Sequence, residues 1–272
     1  MADDRGDPQP PRSSRPLSLA PSYAVLCAVQ AAIVVAARPP QRSAPNSFVL
    51  VGILVPAAAL AGGVAALRLG GAHGLAWAGA VGTPLLAGAG RFRLPVAAGL
   101  WLVAWRADGL VAQAASVALI ALAAITVARL IAHVAPDSSI AGGLVLIAVV
   151  DILLVWGTHQ VQPASTALSG AAPPSIPRLQ DATFGSATMG WLDLAAPALL
   201  GVVARARLRA AVATGLAAGA WGLLLFVTST VPATVPVLAG LALADADRGR
   251  LGRALEPLRA RGGARRDRRG AA

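Results

Sequence analysis

A chain of 272 residues that is 56% hydrophobic and 13% charged carries too little polar surface to coat a soluble domain, so most of it must face lipid. The formal net charge of +11 rests on 23 basic residues that are all arginine. Outside the C-terminal tail they are dispersed in short gaps between apolar runs, which is the pattern of loops between spans and excludes a nucleic-acid surface.

Residues 1–18 mix Arg5, Arg12 and Arg15 with Asp3, Asp4 and Asp7 among prolines. That composition predicts a disordered arm rather than the basic start of a signal peptide, so the first apolar run is expected to stay as a span. A helix crosses the hydrocarbon with about 20 apolar residues, in a range of roughly 17 to 25. On that rule spans are expected near 19–37, 48–67, 72–90, 109–133, 140–157, 187–204, 208–228 and 231–246. The short stretch 94–106 lies between Arg93 and Arg106 and holds Trp101 and Trp105. It suits a tilted span or an interfacial helix and is counted as a span. The expected fold is therefore all-α, a polytopic transmembrane bundle of about nine spans. Residues 19–139 form an N-terminal bundle of spans one to five, and 140–247 carry spans six to nine. Residues 158–186, with Pro163, Pro173, Pro174 and Pro177, are expected to be an irregular external loop, and 248–272 a basic cytoplasmic tail that lies against anionic lipid.

With nine spans the two ends lie on opposite sides. One side holds Arg5, Arg12, Arg15, Arg68, Arg106 and Arg178; the other holds Arg38, Arg42, Arg91, Arg93, Arg129, the group Arg205, Arg207 and Arg209, and the tail. Arginine-rich loops stay cytoplasmic, so the C-terminus is expected inside and the N-terminus outside. The absence of lysine beside abundant Ala, Gly and Arg is the composition of GC-rich coding DNA and points to a bacterial cell membrane.

Several chemistries lack their residues. A Gly-x-x-x-x-Gly-Lys phosphate loop needs lysine, and Gly-x-Ser-x-Gly is absent. His73, His133 and His159 are far apart, and the single Cys27 can form neither an intrachain disulfide nor a thiolate cluster, so no metal or other cofactor is expected. Cys27 is expected to be a small core residue.

Two aspartates stand out. Of the 12 acidic residues, only Asp151 and Asp193 fall within predicted spans rather than in tails, loops or at span ends. A carboxylate there costs at least about 2.5 kcal/mol on insertion scales, so it faces a partner or a water cavity. Asp151 lies six residues before the outer end of its predicted span and Asp193 six after the start of the next. At about 1.5 Å per residue both sit roughly 9 Å below one boundary. Two carboxylates in a low dielectric share one proton. The ionised one can then activate water while the protonated one polarises a peptide carbonyl, which is aspartic hydrolysis. Depth alone equally allows a buried polar pair that pins two helices, or proton coupling in a transporter.

The surrounding residues favour the first reading. Asp151-Ile-Leu-Leu-Val-Trp-Gly157-Thr158 resembles the sixth span of signal peptide peptidases. Ala187-Thr-Met-Gly190-Trp191-Leu192-Asp193-Leu-Ala-Ala-Pro197 resembles the seventh, where the family has Gly-x-Gly-Asp and a proline four residues on. Pro232-Ala233-Thr234 sits where the family has Pro-Ala-Leu. The resemblance, to intramembrane aspartyl proteases of the presenilin and signal peptide peptidase type, covers roughly residues 145–240. It implies that Asp151 and Asp193 are the catalytic pair. It also implies that Gly190, Trp191, Leu192, Pro232, Ala233 and Thr234 shape the site and hold substrate. The implied reaction is hydrolysis by water of peptide bonds within transmembrane peptides or signal-peptide remnants. The expected orientation matches signal peptide peptidases and implies substrate spans with a cytoplasmic N-terminus. Val150, Leu192 and Thr234 depart from the family's usual Tyr, Gly and Leu. Leucine at 192 would crowd the dyad, narrow substrate choice, or mark an inactive relative. A proton-coupled transporter is the alternative outside the enzymes, although no internal repeat supports it.

Overall fold

The computed structural model describes residues 16–40, 48–89, 93–171 and 176–246. Among these, the helices are α1 (Pro16–Ala36), α2 (Val49–Arg68), α3 (Ala72–Gly88), α4 (Leu94–Arg106), α5 (Gly109–Val134), α6 (Asp137–Ile152), α7 (Val161–Ala171), α8 (Trp191–Val203), α9 (Arg207–Gly222) and α10 (Val235–Ala246). A π-helical turn, Leu153–Gly157, extends α6, and a 3-10 turn, Leu223–Phe226, extends α9. An antiparallel hairpin of β1 (Asp181–Phe184) and β2 (Ala187–Gly190) precedes α8.

Five helical runs are long and apolar enough to cross a membrane: Leu19–Ala36, Val49–Arg68, Gly109–Val134, Asp137–Gly157 and Arg207–Phe226. The chain is thus a helical membrane protein. Each of the nine apolar stretches picked out in the sequence contains one helix, but α4, α8 and α10 have only 13, 13 and 12 residues. At about 1.5 Å per residue these cover roughly 20 Å of a hydrocarbon layer of about 30 Å. On α4, the Trp101 and Trp105 ring centroids lie 5.5 Å apart, and the Arg106 guanidinium lies 4.3 Å over the Trp105 ring.

Large apolar side chains such as Leu50, Leu54, Leu85, Leu208, Leu216 and Phe226 point outward, as lipid-facing residues do. In lipid no hydrophobic force drives helices together, so small residues that admit close packing must do so. A Cβ at Gly143 on α6 would strike the backbone of Gly52 on α2. One at Gly201 on α8 would lie 2.5 Å from the Val34 carbonyl oxygen and 2.7 Å from Ala37 Cβ, both from the α1 side. Gln30 and Val34 within α1, with Ala37 just beyond it, are fully buried, and this face lies along α8, residue 30 beside 193 and residues 34 and 37 beside 201. The two helices therefore run parallel.

Four expectations need correction. Residues 158–186 are not simply irregular, since α7 and β1 lie within them. The stretch 187–204 is not one helix: Ala187 and Met189 are buried while Thr188 and Gly190 are exposed, a period of two that belongs to a strand, and the helix starts only at Trp191. The last helix begins at Val235 rather than 231, because Pro232 and its neighbours leave residues 227–234 without regular structure apart from turns. Helix α1 begins at Pro16, inside the segment expected to be an arm. The rest of that arm, and the tail 248–272, lie outside the described residues.

Candidate functional site

Asp151 is the second-last residue of α6 and only 5% exposed. Beyond it the helix widens into the π turn, where the Thr158 N–H donates to the Leu153 carbonyl at 2.8 Å. Such turns are frequent at functional sites because they rotate the side chains on either side. Asp151 Oδ2 accepts two hydrogen bonds from one residue, the Thr234 hydroxyl at 2.7 Å and the Thr234 N–H at 3.2 Å. Thr234 is itself 2% exposed. Thr234 is thus the residue that holds Asp151.

Asp193 is the third residue of α8, not a residue six positions into a span, because β2 occupies the chain up to Gly190. Its Oδ2 accepts the Gly190 N–H at 2.8 Å. This is the reach-back half of a capping box, satisfying one of the amide groups that a helix start leaves open. A Cβ at Gly190 would lie 3.3 Å from Asp193 Oδ2, so any larger residue there must shift this carboxylate by a few tenths of an ångström.

The two carboxylates come from separate helices, α6 and α8. Both line one cavity of about 670 Å³. Gly190, Trp191, Leu192 and Ala233 line it too. Leu192 also packs on the main core, so its side chain fills a wall beside Asp193. Pro232 is not among the lining residues. It is buried, and its carbonyl accepts the Trp221 indole N–H at 3.0 Å. Trp221 in turn lies 5.8 Å from the Trp156 ring, on the π turn after Asp151. These contacts therefore join the first motif to the third.

The hairpin is anchored at its turn. Gly185 has φ +59°, a left-handed conformation that glycine adopts without strain. Its N–H donates to Gln113 of α5 at 2.7 Å, and the Ser186 N–H donates to the Ser22 hydroxyl of α1 at 3.2 Å. All of β2 lines the cavity. So does Asp181, which lies in the stretch 158–186 expected to be a loop. Burial pushes its carboxyl above the usual carboxylate range against the pull of Arg178, and its Oδ1 is buried with no hydrogen-bond partner. Gln30 was missed as well; its Nε2 donates to the Asp193 carbonyl at 3.0 Å. A polar residue in the middle of the first apolar run was its only signal.

In comparisons with models of protein families, with curated proteins and with solved structures, nothing matches this chain.

Proposed function

We propose that the chain is an intramembrane aspartic endopeptidase of the signal peptide peptidase type, cutting peptide bonds inside transmembrane segments. One observation carries the reading: Asp151 and Asp193, the two acidic residues within apolar stretches, line a single cavity from separate helices. With one proton between them, the ionised carboxylate takes a proton from water as the water oxygen bonds to the peptide carbonyl carbon. The protonated carboxyl gives its proton to the carbonyl oxygen. Collapse of the resulting diol breaks the C–N bond: one diol hydroxyl gives its proton to the ionised carboxylate as the carbonyl re-forms, the amine leaves with the proton of the other carboxyl, and the dyad again holds one proton.

A helical substrate must unwind before this, and its freed backbone groups then need partners in place of water. Among the described residues β2 pairs with β1 alone, and β2 lines the cavity together with Ser229, Thr230 and Val231, which lie outside any helix, so these segments would supply backbone partners to an extended peptide. The nine-span topology, with the N-terminus outside the cell membrane and the C-terminus in the cytoplasm, is part of this proposal. It rests on the arginine distribution and on the parallel course of α1 and α8, the first and seventh spans in that count.

The test is cleavage of a tagged model span with a cytoplasmic N-terminus by the purified protein in detergent. Wild type should cleave it, while Asp151→Ala and Asp193→Ala, still folded, should not. Proton-linked transport lost in both variants, with no cleavage by wild type, would replace the protease with a transporter.

A further inference from the structure

We propose that Gln30 is a positioning residue for Asp193, standing in for a backbone hydrogen bond that Pro197 removes. The inference rests on the assignment of Asp193 to the dyad. In an α-helix the carbonyl of Asp193 would accept the N–H of the residue four positions on. That residue is Pro197, within α8, which has no N–H and whose ring crowds the carbonyl four residues back. The Asp193 carbonyl is thus left open in the first turn of the helix that carries the aspartate. The Gln30 Nε2 of α1 donates to it at 3.0 Å.

Several observations bear on whether this contact merely fills space. Gln30 is fully buried, and its Oε1 has no hydrogen-bond partner, so the amide sits in the bundle with the bond to Asp193 as its visible compensation. Buried polar groups in lipid are expensive and are kept where a partner needs them. The contact is also placed with little slack, because Asp193 and Gly201 of α8 lie along one α1 side, residue 193 beside 30 and residue 201 beside 34 and 37, and Gly201 brings the backbones together. Asp193 is then held at two points: its carboxylate by the Gly190 N–H and its backbone by Gln30. Without the second, the first turn of α8 is free to tilt, and the carboxylate moves relative to Asp151.

The geometry gives a rescue that an ordinary packing role would not. Pro197→Ala restores an N–H at the position that serves the Asp193 carbonyl within the helix. Gln30→Leu in the wild-type background should lower kcat by about 3- to 20-fold with KM unchanged, the range for one interhelical hydrogen bond in a membrane. In the Pro197→Ala background the same substitution should change kcat by less than about twofold. Unfolding midpoints of the four proteins in detergent should show the same coupling between positions 30 and 197. Wild-type kcat in Gln30→Leu, or a loss that Pro197→Ala fails to relieve, would overturn the inference. Activity in the wild type with unfolding effects that simply add would overturn the contact and leave the protease standing. Inactivity of the wild type with coupled unfolding would do the reverse, removing the protease and keeping the hold of Gln30 on Asp193.

Discussion

Replacing Thr234 by valine removes the hydroxyl that donates to Asp151 Oδ2 at 2.7 Å while leaving the side chain's volume almost unchanged. A hydrogen bond to a charged group is worth about 1.5–3 kcal/mol net. Because 1.36 kcal/mol is a factor of ten in rate, full loss of positioning corresponds to a fall of about 10- to 150-fold in kcat. The Thr234 N–H stays, at 3.2 Å from the same oxygen, so the lower end, about tenfold, is expected. Thr234→Ser keeps a hydroxyl and should cleave within about threefold of wild type. The assay is single-turnover cleavage of the tagged span, with the unfolding midpoint measured on the same samples. Wild-type cleavage by Thr234→Val, or equal damage from valine and serine, would refute the argument that this hydroxyl holds the carboxylate in place. A lowered midpoint with an unchanged rate would show that Asp151 and Thr234 only pin α6 to the segment before α10.

Gly201→Ala should destabilise the bundle by about 1–3 kcal/mol through overpacking, since the new methyl meets the backbone carbonyl of Val34, which cannot rotate away; denaturation in detergent reads this directly, and an unchanged midpoint would mean that α1 and α8 do not approach so closely. Trp221→Phe keeps a ring opposite Trp156 but loses the bond to the Pro232 carbonyl, and kcat should fall by about two- to tenfold. Asp181→Asn tests the third carboxyl of the cavity. Burial raises its folded-state pKa above the ordinary value, so the folded protein binds more protons there than the unfolded chain and loses stability as pH rises through that window. The asparagine variant should therefore unfold later than wild type at neutral pH, and the gap should close below about pH 4; a gap that persists in acid would assign the effect to something other than the charge.

Membrane residence, the helical class and the oddity of Asp151 and Asp193 were legible in the amino-acid order because each depends on local composition. A run of apolar residues is readable wherever it occurs, and so is a carboxylate inside one. The hairpin is not legible there for a related reason: the apolar content of residues 187–204 fits a span by length, and the two-residue alternation of Ala-Thr-Met-Gly is too short to stand out against it. Turn geometry at Gly185, and the anchors on Gln113 and Ser22, decide that these residues are extended.

What only the tertiary structure decided is which groups meet across helices. Hydropathy says how deep a helix sits but not how it is rotated, and hydrogen bonds at 3 Å depend on rotation. Thr234 reaches Asp151 across 83 positions of sequence, and Gln30 reaches the carbonyl of Asp193 across 163. Pro197 was visible as part of a motif, whereas its consequence, an open carbonyl that a glutamine on the first helix closes, exists only once α1 and α8 are packed side by side.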